Sequence, residues 1–279
     1  MSDNVAKAKD QIILLCVDPQ IDFCSPSGSL FVPGADKDME RLAKAVIKHK
    51  DVIDRIVCTT DAHRYHHIAH SIWWVDSKGK HPDPFTPITV ADVIGSNPKW
   101  KATNPGFQAI SEKYVETLEK QGNYTLMIWP MHCLIGHIGY TIEPVLFKAF
   151  QEWETQFAVV DFVTKGSNMF TEHYSAFQSE VFDPDDAEGT GPNMKLVQYL
   201  KDEKYLYFGG EALNFCVKAT LNDIAKHFGD DYVKKFVFLE DASSLVPTPT
   251  AKQDSDDFIN KMIAKGMRTT TTDKFLQVM

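Results

Sequence analysis

The sequence has no apolar run long enough to cross a membrane as a helix. Its longest stretches, QIILLCV from Gln11 and FAVVDFV from Phe157, are strand-length, against the roughly 20 residues a spanning helix needs. It has no basic surplus either: 29 Lys and Arg face 38 Asp and Glu, a net charge of −9. That excludes a general nucleic-acid binder, whose affinity rests on basic surface that releases counterions from phosphates. No apolar h-region is present, because MSDNVAKAKD is polar and charged where a signal peptide would carry one. Cysteine is scarce, odd in number and scattered (Cys16, Cys24, Cys58, Cys133, Cys216). This argues against a disulfide framework and for a reducing, cytoplasmic compartment. No Pro-, Gly- or Ser-rich linker divides the chain, so residues 1–279 are expected to form a single domain. With 43% apolar and 24% charged residues, the balance is that of a globular protein and rules out disorder as the main state.

Against these absences stands a regular rhythm. Apolar, β-branched runs begin at Gln11 (QIILLCV), Ile53 (IDRIVCT), Tyr124 (YTLMIW), Phe157 (FAVVDFV), Tyr205 (YLYFG) and Lys235 (KFVFLED). Helical spacing follows over Met39 to His49, Ile142 to Trp153, Met194 to Lys201, Val217 to Phe228 and Asp256 to Lys265. Continuous apolar strands alternating with amphipathic helices are what a parallel sheet buried on two faces requires. The expected fold is α/β, a three-layer sandwich around a central, mainly parallel six-stranded sheet. One stretch breaks the rhythm: an insertion at about 71–117, with HPDPFTP, GSNPKW and TNPGF, is too long for a simple connection and reads as an active-site cover or an interface.

In open parallel sheets the ligand crevice lies beyond the carboxyl ends of the strands, so residues just after each run carry the functional weight. There stand Asp18, then Asp61 and His63, then His132, Lys165, and the segment GGEALNFC ending in Cys216. Cys216 precedes the helical spacing of VKATLNDIA, and a thiol at a helix N-terminus has its pKa lowered toward the nucleophilic thiolate. Cys16 and Cys58, inside strands, read as core. A lysine such as Lys165 beside a thiol would stabilise the thiolate. Asp18 follows an apolar run, where partial desolvation raises a carboxyl pKa enough for proton exchange; Asp22 is the alternative, or a cap. Asp61 and His63 alternate in extended backbone and so share a side, and with His132 they make a set of one carboxylate and two imidazoles suited to a metal. A surface histidine cluster with His66, His67 and His70 is the competing reading.

Five motifs in order resemble the isochorismatase-like cysteine hydrolases, and within them the nicotinamidase branch. They are VDPQIDFC with GSLFVPGA, TTDAHRYHHI, WPMHCLIGHIG, VTKG with HYSAF, and GGEALNFCVKAT, together reaching from Ile13 to about Ser244. The resemblance implies a doubly wound fold and a catalytic triad of Asp18, Lys165 and Cys216. It implies an oxyanion hole from the N–H groups of Ala212 and Cys216, the former presented by a cis peptide between Glu211 and Ala212. It also implies one divalent metal ion, zinc, iron or manganese according to the member, on Asp61, His63 and His132, with His67 in the slot of an occasional further ligand. Phe23 and Trp129 fall on positions that flank the substrate ring. The implied reaction converts nicotinamide to nicotinate and ammonia through a cysteine thioester, in pyridine-nucleotide salvage. The alternative is the same chemistry on another small amide or ureido compound, because Phe215, His137, Ile138 and the insertion depart from the family pattern. The family often forms homo-oligomers, for which Trp73, Trp74, Phe85, Trp100 and Phe107 offer an interface; a membrane or nucleic-acid partner is not expected.

Overall fold

Runs of Ile, Leu, Val and Phe cannot be left in water, and six of them line up side by side. In the computed structural model, which describes residues 12–278, they are β1 (Ile12–Val17), β2 (Arg55–Asp61), β3 (Asp161–Lys165), β4 (Tyr205–Gly210), β5 (Phe236–Leu239) and β6 (Arg268–Thr270). Gln11 and the polar stretch before it lie outside the described residues. The strand order is β6-β5-β4-β1-β2-β3 and every pairing is parallel. All six residues of β1 are buried, so both faces of the sheet are covered there. Each such leucine or isoleucine removed from water contributes about 1.5–3 kcal/mol.

The covering helices are α1 (Ala35–Lys48), α2 (Gln108–Gln121), α3 (Pro144–Glu154), α4 (Met194–Leu200), α5 (Lys218–Phe228) and α6 (Ala251–Ala264). Helix α1 buries Met39, Leu42, Ala43 and Val46, a one-sided stripe, and packs on α3. Helix α3 opens with Pro144 in its first turn, where a missing N–H costs nothing, and buries Leu146, Ala149, Phe150 and Trp153. Among the described residues no helix is long and apolar enough to cross a membrane, and all five cysteines are buried and free.

Two expectations are corrected. The run at Tyr124 does not join the central sheet: only Leu126–Met127 is extended, paired antiparallel with Pro87–Ile88. Its neighbours Ile128 and Trp129 donate instead to the carbonyls of Thr86 and Ala69, so this segment is held by the 69–88 region. The sixth central strand is β6, whose RTT is too short and polar to read as a core strand. Helix α2 had also gone unread, although Ser111, Tyr114, Val115 and Leu118 bury one face at helical spacing.

The chain leaves β1 toward β2 and β3 on one side and later returns to build β4, β5 and β6 on the other, so the order reverses between β1 and β4. That switch point is where a crevice opens beyond the strand ends. Gly210, the last residue of β4, makes the close approach possible. Its φ is 120°, and a Cβ there would lie 2.0 Å from the Val17 carbonyl oxygen. Gly210→Ala is therefore expected to destabilise the protein by at least about 1 kcal/mol, read as a lower urea midpoint; an unchanged midpoint would refute this close packing.

Candidate active site

Four neighbouring strands deliver the reactive groups. Asp18 turns directly off β1 with φ 44°, a left-handed conformation that aspartate tolerates. Its N–H donates to Thr59 Oγ1 at 3.0 Å, and that hydroxyl donates back to Asp18 Oδ1. Lys165, ending β3, places its Nζ 3.0 Å from Asp18 Oδ2, 3.1 Å from Asp61 Oδ1 and 3.8 Å from Cys216 Sγ, and donates to the His173 carbonyl at 2.8 Å. All of these side chains are buried. Burial works against the Lys165 charge, but Asp18 and Asp61 hold its pKa well above the usual value.

Cys216 sits in the turn Leu213–Val217, which runs straight into α5. The expected lowering of its pKa is not what the surroundings produce. Burial pushes the thiol well up and Lys165 only partly offsets it, while the Cys216 N–H is already donated to the Ala212 carbonyl at 2.9 Å. Burial likewise raises Asp18, against the pull of Lys165 and with a push from Asp61. The resting pair is thus a thiol beside a carboxylate of raised basicity, an arrangement suited to moving one proton between them. The peptide between Glu211 and Ala212 is cis, and no acceptor among the described residues takes the Ala212 N–H.

Beside the triad lies a set of metal-ligand type. His63 Nε2 and His132 Nε2 approach the same oxygen, Asp61 Oδ2, at 3.0 and 3.4 Å, and Asp61, His63 and His132 form a group that can hold a metal ion. His132 donates from Nδ1 to the Pro130 carbonyl at 2.8 Å, which leaves Nε2 as the lone pair, the outer-shell arrangement usual for ligating histidines. Two buried carboxyl groups, from Asp18 and Asp61, face the single ammonium of Lys165, and a third, Glu172, lies 3.8 Å from His63 Nε2, so a divalent cation fits the charge of the donor set as well as its geometry. His67 does not suit the slot expected for it: its Nδ1 accepts from the Ala69 N–H and its Nε2 meets the Thr171 carbonyl. His70 does suit it. Its Nδ1 meets the Tyr65 carbonyl, its buried Nε2 has no partner, and burial with the neighbouring His63 pushes its pKa down to about 3, keeping that lone pair free.

Between the two sets lies a small cavity, with about 350 Å³ of empty space including its mouth. Cys216, Asp61 and His132 reach its wall, and the rest is largely apolar: Phe23, Trp129, Tyr174, Phe215, Leu30 and Val246. The Trp129 and Phe215 rings meet edge to face at 5.1 Å, and Trp129 Nε1 donates to the Tyr174 hydroxyl at 3.2 Å.

No protein-family model matches the chain. It is 28% identical over 207 residues to the nicotinamidase of Saccharomyces cerevisiae, covering 74% of this chain and 78% of that one. The solved structure of the yeast nicotinamidase superposes with a TM-score of 0.64 at 20% identity, over 93% of this chain and 99% of the other. A nicotinamidase/pyrazinamidase of Acinetobacter baumanii gives 0.62 at 19% identity, over 97% and 100%. A zinc complex of the Pyrococcus horikoshii pyrazinamidase gives 0.54 at 20%, over 94% and 99%. The chain shares the α/β fold of these nicotinamidase and pyrazinamidase structures.

Within this fold, several residues take places that spacing did not reveal. Asp22 is a clamp: its Oδ2 accepts the Cys133 N–H at 2.7 Å and its Oδ1 the Ser29 N–H at 3.0 Å, tying the WPMHC loop to the turn after β1. His137 and Ile138 lie away from the cavity wall and Ile138 is exposed, whereas Phe215 lines it. No residue of 71–117 lines the cavity. Trp73, Trp74 and Trp100, offered as interface candidates, are buried within the chain, and of that group only Phe85 is exposed. Instead Tyr114 supports the site from behind, its hydroxyl accepting the Glu172 N–H at 3.0 Å. Glu172 and Tyr174 were the residues missed. Their signal was their place on either side of His173 at the start of the HYSAF segment, whose His173 carbonyl accepts from Lys165 Nζ at 2.8 Å.

Proposed function

We propose that the chain is a cysteine amidohydrolase that converts nicotinamide to nicotinate and ammonia. The observation that carries the reading is the convergence of Cys216, Lys165 and Asp18 with the Asp61, His63 and His132 set on one aromatic-walled cavity. Phe23 and Trp129 would flank a flat heteroaromatic ring, with Phe215 closing the box, since aromatic rings favour offset and edge contacts. Asp18 takes the thiol proton as Cys216 Sγ attacks the amide carbonyl, and returns it to the leaving nitrogen, so that ammonia departs and a thioester remains. Asp18 then takes a proton from water, whose oxygen displaces the sulfur and yields the acid, and returns that proton to the departing sulfur, restoring the thiol and the carboxylate. Lys165 keeps the carboxylate and sulfur in register throughout. The Ala212 N–H, free of other acceptors among the described residues, would meet the oxyanion, and the Cys216 N–H would join it by sharing or giving up its bond to the Ala212 carbonyl.

Asp61, His63 and His132 would hold the divalent ion, with zinc first in line as the ion of the Pyrococcus complex. The chemistry such an ion supplies is Lewis-acid binding of a nitrogen lone pair. The deciding experiment is ammonia release from nicotinamide, run beside a panel of other small amides. Turnover of nicotinamide is expected, to be lost on chelation and restored by zinc, iron or manganese. Turnover restricted to another amide, or unaffected by chelation with the metal shown to be gone, would overturn the corresponding part of the reading. A cytoplasmic place and a role in pyridine-nucleotide salvage follow from that substrate.

A further inference from the structure

Behind the nucleophile turn, on the side away from the cavity, two acidic side chains lie together in the interior. Glu211 is fully buried and Asp38, on α1, is 2% exposed. One residue bridges them: the Ser244 N–H donates to Glu211 Oε2 at 3.0 Å, and the Ser244 hydroxyl donates to Asp38 Oδ2. The cation beside them, Arg41, is taken by Asp38 Oδ1 and by the Asp241 carbonyl. Glu211 Oε1 receives no hydrogen bond from any donor among the described residues, and the backbone and hydroxyl of the single residue Ser244 hold the Glu211 and Asp38 carboxyls side by side. Two ionised carboxylates in that place would leave an unsatisfied buried oxygen against a like charge, whereas one proton shared between them satisfies both.

The backbone around Glu211 is what shapes the site. The Glu211 N–H donates to the Val17 carbonyl at 2.8 Å, next to Asp18. The Leu213 N–H donates to the Ser244 carbonyl at 2.9 Å, and Asn214 and Val246 exchange two hydrogen bonds. The segment from Ala242 to Val246 therefore holds the turn that carries Ala212 and Cys216, and the Glu211 side chain is its deepest attachment.

We propose that Glu211 is a positioning residue: as a neutral acid it donates to Asp38 while accepting from Ser244, and this bridge sets the Ala212–Cys216 turn against a bound amide. The inference rests on the amidohydrolase reading for its effect on turnover, but not for its effect on the turn. Burial, reinforced by the Asp38 charge, pushes the Glu211 pKa well above the usual range, which agrees with the geometry. The titratable groups facing it are Asp38 and Arg41 from α1 and Cys24 from the turn after β1.

The test compares wild type with Glu211→Gln, which keeps a donor and an acceptor but cannot ionise, and with Glu211→Leu, which keeps neither. A carboxyl with a raised folded pKa contributes stability that is present below its unfolded value and lost as pH climbs through the folded value. Near pH 4, below the unfolded value of about 4.3, the wild type and Glu211→Gln should therefore match in melting temperature, and near pH 6, with the folded carboxyl still protonated, they should match in the rate of Cys216 alkylation by iodoacetamide and in nicotinamide turnover. As pH rises toward 9.5 the wild type should fall behind Glu211→Gln in all three, while Glu211→Leu, where it folds, loses turnover by roughly tenfold or more at every pH. Parallel wild-type and Glu211→Gln curves, or a Gln variant as impaired as Leu, overturn the proposal. If nicotinamide is not a substrate, the melting and alkylation curves still decide it, so the two readings fail separately.

Discussion

Replacing Cys216 by alanine is expected to lower amide turnover by at least about a thousandfold while leaving the melting temperature nearly unchanged. The size follows from losing the atom that forms the covalent intermediate, since knocking out a nucleophile in a coupled triad removes most of what the triad does together. The small structural effect follows from the wiring: Lys165 keeps its contacts with Asp18, Asp61 and the His173 carbonyl when the sulfur is gone. The same geometry predicts selective labelling. Cys16, Cys24, Cys58 and Cys133 are fully buried and line no part of the cavity, whereas Cys216 is 6% exposed and does. Iodoacetamide should therefore add one adduct, found on the peptide carrying Cys216 by mass spectrometry. Turnover persisting in Cys216→Ala, or first labelling at another cysteine, would exclude the thioester route.

Lys165→Met should be the most damaging single change, because it removes the ammonium between two buried carboxyl groups. Breaking a buried pair by deleting one partner costs about 3–5 kcal/mol, and here Asp18 and Asp61 would be left facing each other. The pH dependence has a definite sign. In the wild type the folded pKa of Lys165 is raised, so its contribution is fully present below the unfolded value of about 10.4 and is lost only as pH rises through the folded one. In the variant the two carboxyls lose their counter-charge and take up protons more readily, so the stability deficit is largest at neutral and alkaline pH and shrinks on acidification. Urea midpoints at pH 5 and pH 8 would check this. An equal deficit at both values would mean that lost packing, not charge, is responsible.

Strand ends were the informative places in the sequence. Asp18, Asp61 and Lys165 close apolar runs that the fold sets side by side, and Cys216 follows the run that lies against β1. A continuous apolar stretch is a local signal for a strand buried on two faces, so five of the six central strands could be read directly. The sixth could not, because RTT in β6 owes its extended shape to pairing with β5 and carries no apolar pattern of its own. The Tyr124 run failed in the opposite way: its composition suits a central strand, but its backbone partners are Thr86 and Ala69.

The sequence by itself determined the reactive inventory and the alternation of apolar strands with amphipathic helices, since residue type and apolar period are properties of the chain. Only the tertiary structure decided which of several similar groups faces which. His67 and His70 are three residues apart and chemically identical, yet one has both ring nitrogens occupied and the other keeps a buried Nε2 with no partner among the described residues. Spacing cannot separate them, because ligand availability depends on carbonyls at Thr171 and Tyr65 that only folding brings near. The Cys216 thiol shows the same limit: its place before a helix argues for a low pKa, and burial, a three-dimensional quantity, reverses it.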